Sequence, residues 1–146
     1  MSRHFNILIL GASYGSLLAA KLLMAGHNVH LVCLPAEADA INQGGIRVRI
    51  PIRGRSDPIE VDARHFTGAV SASETAGIDP RAFDLVVLAM QEPQYSSAGV
   101  RELLLAVAWS QVPCLSIMNM PPLPYLLRIP GLVCDELRQC YTDPAV

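Results

Sequence analysis

The chain has 146 residues, 51% of them hydrophobic and 16% charged, with a mean hydropathy of +0.34. That length suits one domain with a sizeable core and is short for a complete two-domain enzyme, and the apolar content excludes disorder. Lys and Arg total 11 against 13 Asp and Glu, a net charge of -2, so no electrostatic footprint for nucleic acid is present.

The first element is an apolar strand beginning at Phe5, followed by the turn Gly11-Ala12-Ser13-Tyr14-Gly15-Ser16 and a helix from Leu17 to Ala25. A strand that feeds a glycine-bearing turn into a helix leaves several backbone N–H groups unpaired at one point. The helix dipole favours an anion such as a pyrophosphate there. Ala25-Gly26-His27-Asn28 reads as a C-cap and turn, and Val29 to Cys33 as a second buried strand closed by Pro35. A short helix over residues 36–43 stops at Gly44-Gly45. The alternating segments Ile46 to Ile52 and Ile59 to Ala63, separated by Gly54 and Pro58, read as an antiparallel hairpin added to the main sheet. Asp84 to Met90 is the clearest central strand; a helix over about 96–110, a strand over 113–118 and a proline-rich loop over 120–124 follow. This alternation implies an α/β domain of Rossmann type, a doubly wound, mostly parallel sheet with an added β-hairpin, occupying residues 1–146. The ligand crevice of such a sheet lies beyond the carboxyl ends of its strands, so the turns after Leu10, Cys33, Met90 and Met118 line one rim.

Cys33, Cys114, Cys134 and Cys140 contain no C-x-x-C pair and have no His at zinc spacing, so reduced structural cysteines in a cytoplasmic protein, and no metal site, are expected. Asn6, the turn and Lys21 interrupt the N-terminal apolar run, which argues against a membrane span or an export signal. Arg47 and Arg49 alternate with Val48, Ile50 and Ile52, and with Arg53 and Arg55 they read as the wet face of a strand pair. Trp109 closes an amphipathic helix and is expected in the core or at an interface. Apolar surface on the last helices implies a homo-oligomer or a further domain packed there. Gly11-Ala12-Ser13-Tyr14-Gly15 is also a literal G-x-S-x-G, the pattern of a hydrolase nucleophile elbow. An elbow needs strands before it and an acid and a His after it. Only ten residues precede Gly11, and His65, which follows Asp39, Asp57 and Asp62, falls in the hairpin region with no reason to face Ser13.

Taken together, the rim segments resemble the N-terminal domain of the ketopantoate reductase family, NADPH-dependent 2-keto acid reductases. The resemblance rests on Ala25-Gly26-His27, on Ala40-Ile41-Asn42-Gln43-Gly44-Gly45-Ile46-Arg47-Val48, on the strand Asp84 to Met90 and on Ser116-Ile117-Met118-Asn119-Met120, in that order and at that spacing. It implies NADP as cofactor, with NAD the alternative, and a small-molecule carbonyl or imine substrate. It implies a cofactor site of Gly11, Ala12, Ser13, Tyr14, Gly15, Ser16, Leu34, Met90, Gln91 and Asn119, with Asn119 also near the reacting centre.

Where the chemistry would fall, the chain departs from the family. The usual G-x-G-x-x-G turn is one residue shorter, with Ser13 near the second glycine. Leu34 and Pro35 stand where the family has an Arg for the 2′-phosphate, and no acid for an NAD ribose is present at that point. Glu37 is the nearest acid, placed to start a helix. Gln91 replaces the family's lysine after the central strand. The family's catalytic Lys and a substrate-binding Glu belong to a helical C-terminal domain, which is not expected within these residues. Two functions therefore stand side by side: the cofactor half of an oxidoreductase, or a Rossmann module that has lost the chemistry and serves binding or assembly.

Overall fold

The computed structural model describes residues 3–117, 123–133 and 135–141. In chain order the elements are β1 (Asn6–Leu10), α1 (Ala12–Met24), β2 (Asn28–Val32), α2 (Pro35–Gly44), β3 (Arg47–Ile50), β4 (Ile59–Asp62), β5 (Val70–Ser73), β6 (Leu85–Leu88), α3 (Ala98–Ser110), β7 (Cys114–Ser116) and α4 (Leu123–Leu126). Strands β5, β2, β1, β6 and β7 form one sheet in that order, every pair parallel. From β1 the chain proceeds one way to β2 and β5 and the other way to β6 and β7. The strand order therefore reverses between β1 and β6, where a sheet of this kind opens its crevice.

The central strand explains the two faces. Its side chains alternate, Ile7 and Ile9 packing with Ala19 and Leu23 of α1, and Leu8 and Leu10 packing with Leu103 and Val107 of α3. Leu8, Ile9 and Leu10 are wholly buried, each stabilising the fold by about 1.5–3 kcal/mol. Register is fixed by the same pattern: Ile7 stands opposite Val29 and Leu85, and Leu10 opposite Val32 and Leu88.

Three features depart from the sequence reading. The hairpin of β3 and β4 does not extend the main sheet; it forms its own two-stranded sheet, resting Val48 against the α1 side of the core. Arg47 and Arg49 do lie exposed on it, paired with Asp62 (3.5 Å) and Glu60 (3.4 Å). On the β2 side the sheet ends in a further strand, β5, whose outer edge is closed by the amide of Asn42 on α2: it donates to the Ala72 carbonyl and accepts from the Ala72 N–H, both at 2.8 Å. Trp109 is not in the core of this chain: it is 85% exposed, because the buried seam of α3 runs through Val100, Leu103 and Val107 and leaves Leu105 and Trp109 on the outer side. The helix itself begins at Ala98, after a 3-10 turn over Glu92–Ser96 that Pro93 helps to start. Among the described residues no helix is long and apolar enough to cross a membrane, and no cluster of three potential metal ligands exists.

Candidate functional site

The crevice at the sheet reversal is built around Gly11. Its N–H donates to the Val32 carbonyl at the end of β2 (2.8 Å), while the Ala89 N–H, just beyond β6, donates to the Leu10 carbonyl (2.8 Å). The chain therefore turns from strand to helix within one residue, with Gly11 at φ +103°, a conformation that L-residues rarely adopt. A Cβ on Gly11 would lie 2.5 Å from the Ala89 carbonyl oxygen and 2.7 Å from Met90 Cγ. Gly15 serves a different end: a Cβ there would lie 2.6 Å from Ile9 Cγ2, so its absence lets α1 settle on β1.

The first intrahelical bond runs from Gly15 N–H to the Gly11 carbonyl (3.1 Å), which leaves the amides of Ala12, Ser13 and Tyr14 ahead of the helical ladder and without partners in it. No side chain caps this helix end. Ser13 and Tyr14 are exposed and Ala12 is buried, so the open amides of Ser13 and Tyr14 front the rim. The Ser16 hydroxyl is turned inward, donating to the Ala12 carbonyl. No hydrogen bond to Ser13 from a His or a carboxylate exists among the described residues, and His65 sits in the 3-10 turn Ala63–His65 after the hairpin. The G-x-S-x-G is thus the geometry of a glycine turn, without the partners an elbow needs.

On the β6 side, Met90 is buried beneath Gly11 and offers the crevice no free side chain. Gln91 is exposed. Its N–H donates to Gln94 Oε1 and its Nε2 donates to the Tyr14 hydroxyl, both at 2.8 Å. Tyr14 and Gln91 are 77 positions apart in the chain, so nothing local in the sequence signals this bridge across the mouth of the crevice. Behind it, burial pushes the Tyr95 phenol up to about 12.

On the β2 side, Leu34 is 68% exposed and its N–H donates to a Glu37 carboxylate oxygen (3.1 Å), starting α2 at Pro35. Burial, and then the Glu37 charge, push the Cys33 thiol up to about 11. Asn119 lies outside the described residues, as do Met118, Met120 and the Pro121-Pro122 pair. An open cavity of about 320 Å³ exists at the opposite end of the strands, near Asn6, Asn28, His30, Ser71 and Phe83. There both ring nitrogens of His30 hydrogen-bond serine hydroxyls, those of Ser71 (2.8 Å) and Ser73 (2.9 Å), well away from the crevice.

The profile of the family described as Ketopantoate reductase PanE/ApbA matches residues 7–119, more than half of the chain, and spans every element of this crevice. The chain belongs to the ketopantoate reductase family. A candidate ketopantoate reductase from Ralstonia solanacearum MolK2, known from a crystal structure, has the same fold, with 22% sequence identity and a TM-score of 0.56. The match covers 87% of this chain and 36% of that one, so this chain spans little more than a third of the Ralstonia protein. The apo histidine-tagged saccharopine dehydrogenase (L-Glu forming) from Saccharomyces cerevisiae is a more distant likeness, at 14% identity and a TM-score of 0.43 over 81% of this chain and 22% of that one. No curated protein matches the chain in sequence. The five-stranded parallel sheet and its crevice at the strand reversal are accordingly a Rossmann-type domain of that family.

Proposed function

We propose that this chain holds the diphosphate of a nicotinamide dinucleotide on the amides at the start of α1, as the cofactor half of an oxidoreductase acting on a 2-keto acid or a related carbonyl or imine. The observation that carries the reading is the Gly11 turn. A side chain there would collide with the β6 end, and its absence leaves unpaired amides and the positive end of a 13-residue helix facing the point where the strand order reverses. When bound, the cofactor supplies hydride chemistry.

The chain's own residues do the rest of the positioning. The amides of Ser13 and Tyr14 bind the phosphate oxygens, Leu34 and Glu37 bound the ribose of the adenosine end, and the Tyr14–Gln91 bridge limits access from the β6 side. Asn119, which follows β7, is this chain's candidate for contact with the reacting centre. On this reading the general acid and the group that recognises the substrate carboxylate come from outside these residues, from a helical domain or a second chain.

Titrating the chain with ADP-ribose, by calorimetry and by thermal unfolding at one ionic strength, tests the reading without needing turnover. Saturable binding with a raised unfolding midpoint is expected. No heat and no shift at millimolar ADP-ribose would overturn it and leave the second reading, a fold kept for assembly.

A further inference from the structure

The β2 end of the crevice carries a charge pattern that selects between the two nicotinamide dinucleotides. From Leu31 to Gly45 the chain contains no Lys or Arg, but does contain Glu37 and Asp39. In a sheet of this topology the adenosine ribose of a dinucleotide held at the first helix reaches the carboxyl end of the second strand. There this chain presents three features, none of which suits a phosphate. Leu34 is an exposed aliphatic side chain whose own N–H is already occupied by Glu37 (3.1 Å). Pro35 has no N–H to give. Glu37 itself is a half-buried carboxylate held over the strand end, and its charge is felt at Cys33, the residue immediately after β2.

Only one oxygen of the Glu37 carboxylate, Oε2, is used in capping α2. A carboxylate accepts hydrogen bonds and donates none, so the other oxygen suits a ribose hydroxyl and opposes a 2′-phosphate, which carries between one and two negative charges at neutral pH. From this arrangement we infer that Glu37, with Leu34 beside it, makes the site selective for a dinucleotide with a free 2′-hydroxyl, NAD(H), and against NADP(H). This inverts the cofactor that the family resemblance implies. It rests on the proposed function, since it names which dinucleotide the same crevice takes.

The test is a pair of calorimetric titrations of the chain with NADH and with NADPH at fixed ionic strength, repeated for Glu37→Gln. The amide of Glu37→Gln keeps a carbonyl oxygen for the Leu34 N–H, so α2 retains its start, and the unfolding midpoint of the variant checks this. NADH is expected to bind on the order of tenfold more tightly than NADPH or better. That ratio should shrink toward unity in Glu37→Gln and narrow as salt is raised. Equal or tighter binding of NADPH, or a preference that Glu37→Gln leaves untouched, overturns the inference while the proposed function stands. Binding of neither dinucleotide overturns both.

Discussion

Replacing Gly11 by Ala separates a glycine kept for its conformation from one kept for a close approach. Two costs act at Gly11. Its φ of +103° lies where an L-residue is strained by roughly 1–3 kcal/mol. Its Cβ would also stand 2.5 Å from the Ala89 carbonyl oxygen and 2.9 Å from the Ala89 carbonyl carbon, backbone atoms that move only with β6, an overpacking cost of about 1–3 kcal/mol. The sum, about 2–6 kcal/mol, is a large part of the 5–15 kcal/mol that typically holds a domain together. At about 2–4 °C per kcal/mol, a loss near 4 kcal/mol lowers the unfolding midpoint by about 8–16 °C. Gly54 is the control: its φ is +87°, yet nothing lies within 4 Å of the added Cβ, so Gly54→Ala incurs the strain alone. Thermal and urea unfolding of the two variants side by side are the assay. Equal losses in both would refute the argument that the β6 end presses on Gly11.

Burial holds His30 below the usual histidine range, so at mildly acidic pH the unfolded chain takes up a proton that the folded chain refuses. The stability this residue contributes is present above about pH 6.5 and is lost as pH falls through its lowered folded value. Urea unfolding at pH 7.5 and 5.5 should accordingly show a steeper loss for the native chain than for His30→Gln. Tyr14→Phe removes the hydroxyl that Gln91 holds at an exposed position, and should cost no more than about 1 kcal/mol by urea unfolding. A much larger loss would mean that the bridge orders the turn itself. Trp109→Gln, on the outer side of α3, should leave the unfolding midpoint within about 2 °C. In sedimentation it should lower any self-association that the exposed Leu105 and Trp109 promote, and a Trp109→Gln chain that fails to fold would contradict the placement of that face.

The elements legible in the sequence were those with long apolar runs. β1 and β6 are buried on both faces and read as runs of Ile, Leu and Val, and β2 reads nearly so, broken by the half-buried His30. β5 was illegible because Val70-Ser71-Ala72-Ser73 has no such run; it becomes a strand through its register with β2 and the clasp of Asn42. The alternation of the hairpin was legible, but alternation does not say which sheet a pair joins. At the site, Gly11 and Gly15 could be found because a glycine between a strand and a helix has few other reasons to exist, whereas the Tyr14–Gln91 bridge depends on the fold bringing α1 beside β6. For Trp109 the helical period alone leaves core and interface both open, and the phase of α3, with Val100, Leu103 and Val107 on the buried seam, removes the core. Glu37 was visible as a helix starter, and only the structure brings its charge to the end of β2.

The most direct test of the central claim is to follow the backbone amide resonances of the chain by NMR while ADP-ribose is added. The account requires the largest shifts at Ser13, Tyr14 and Gly15, with smaller ones at Leu34 and Gln91 and none at His30 or Ser71. Saturable shifts clustered at the opposite end of the strands, around Asn28, His30 and Ser71, would show that the Gly11 turn is not the nucleotide site.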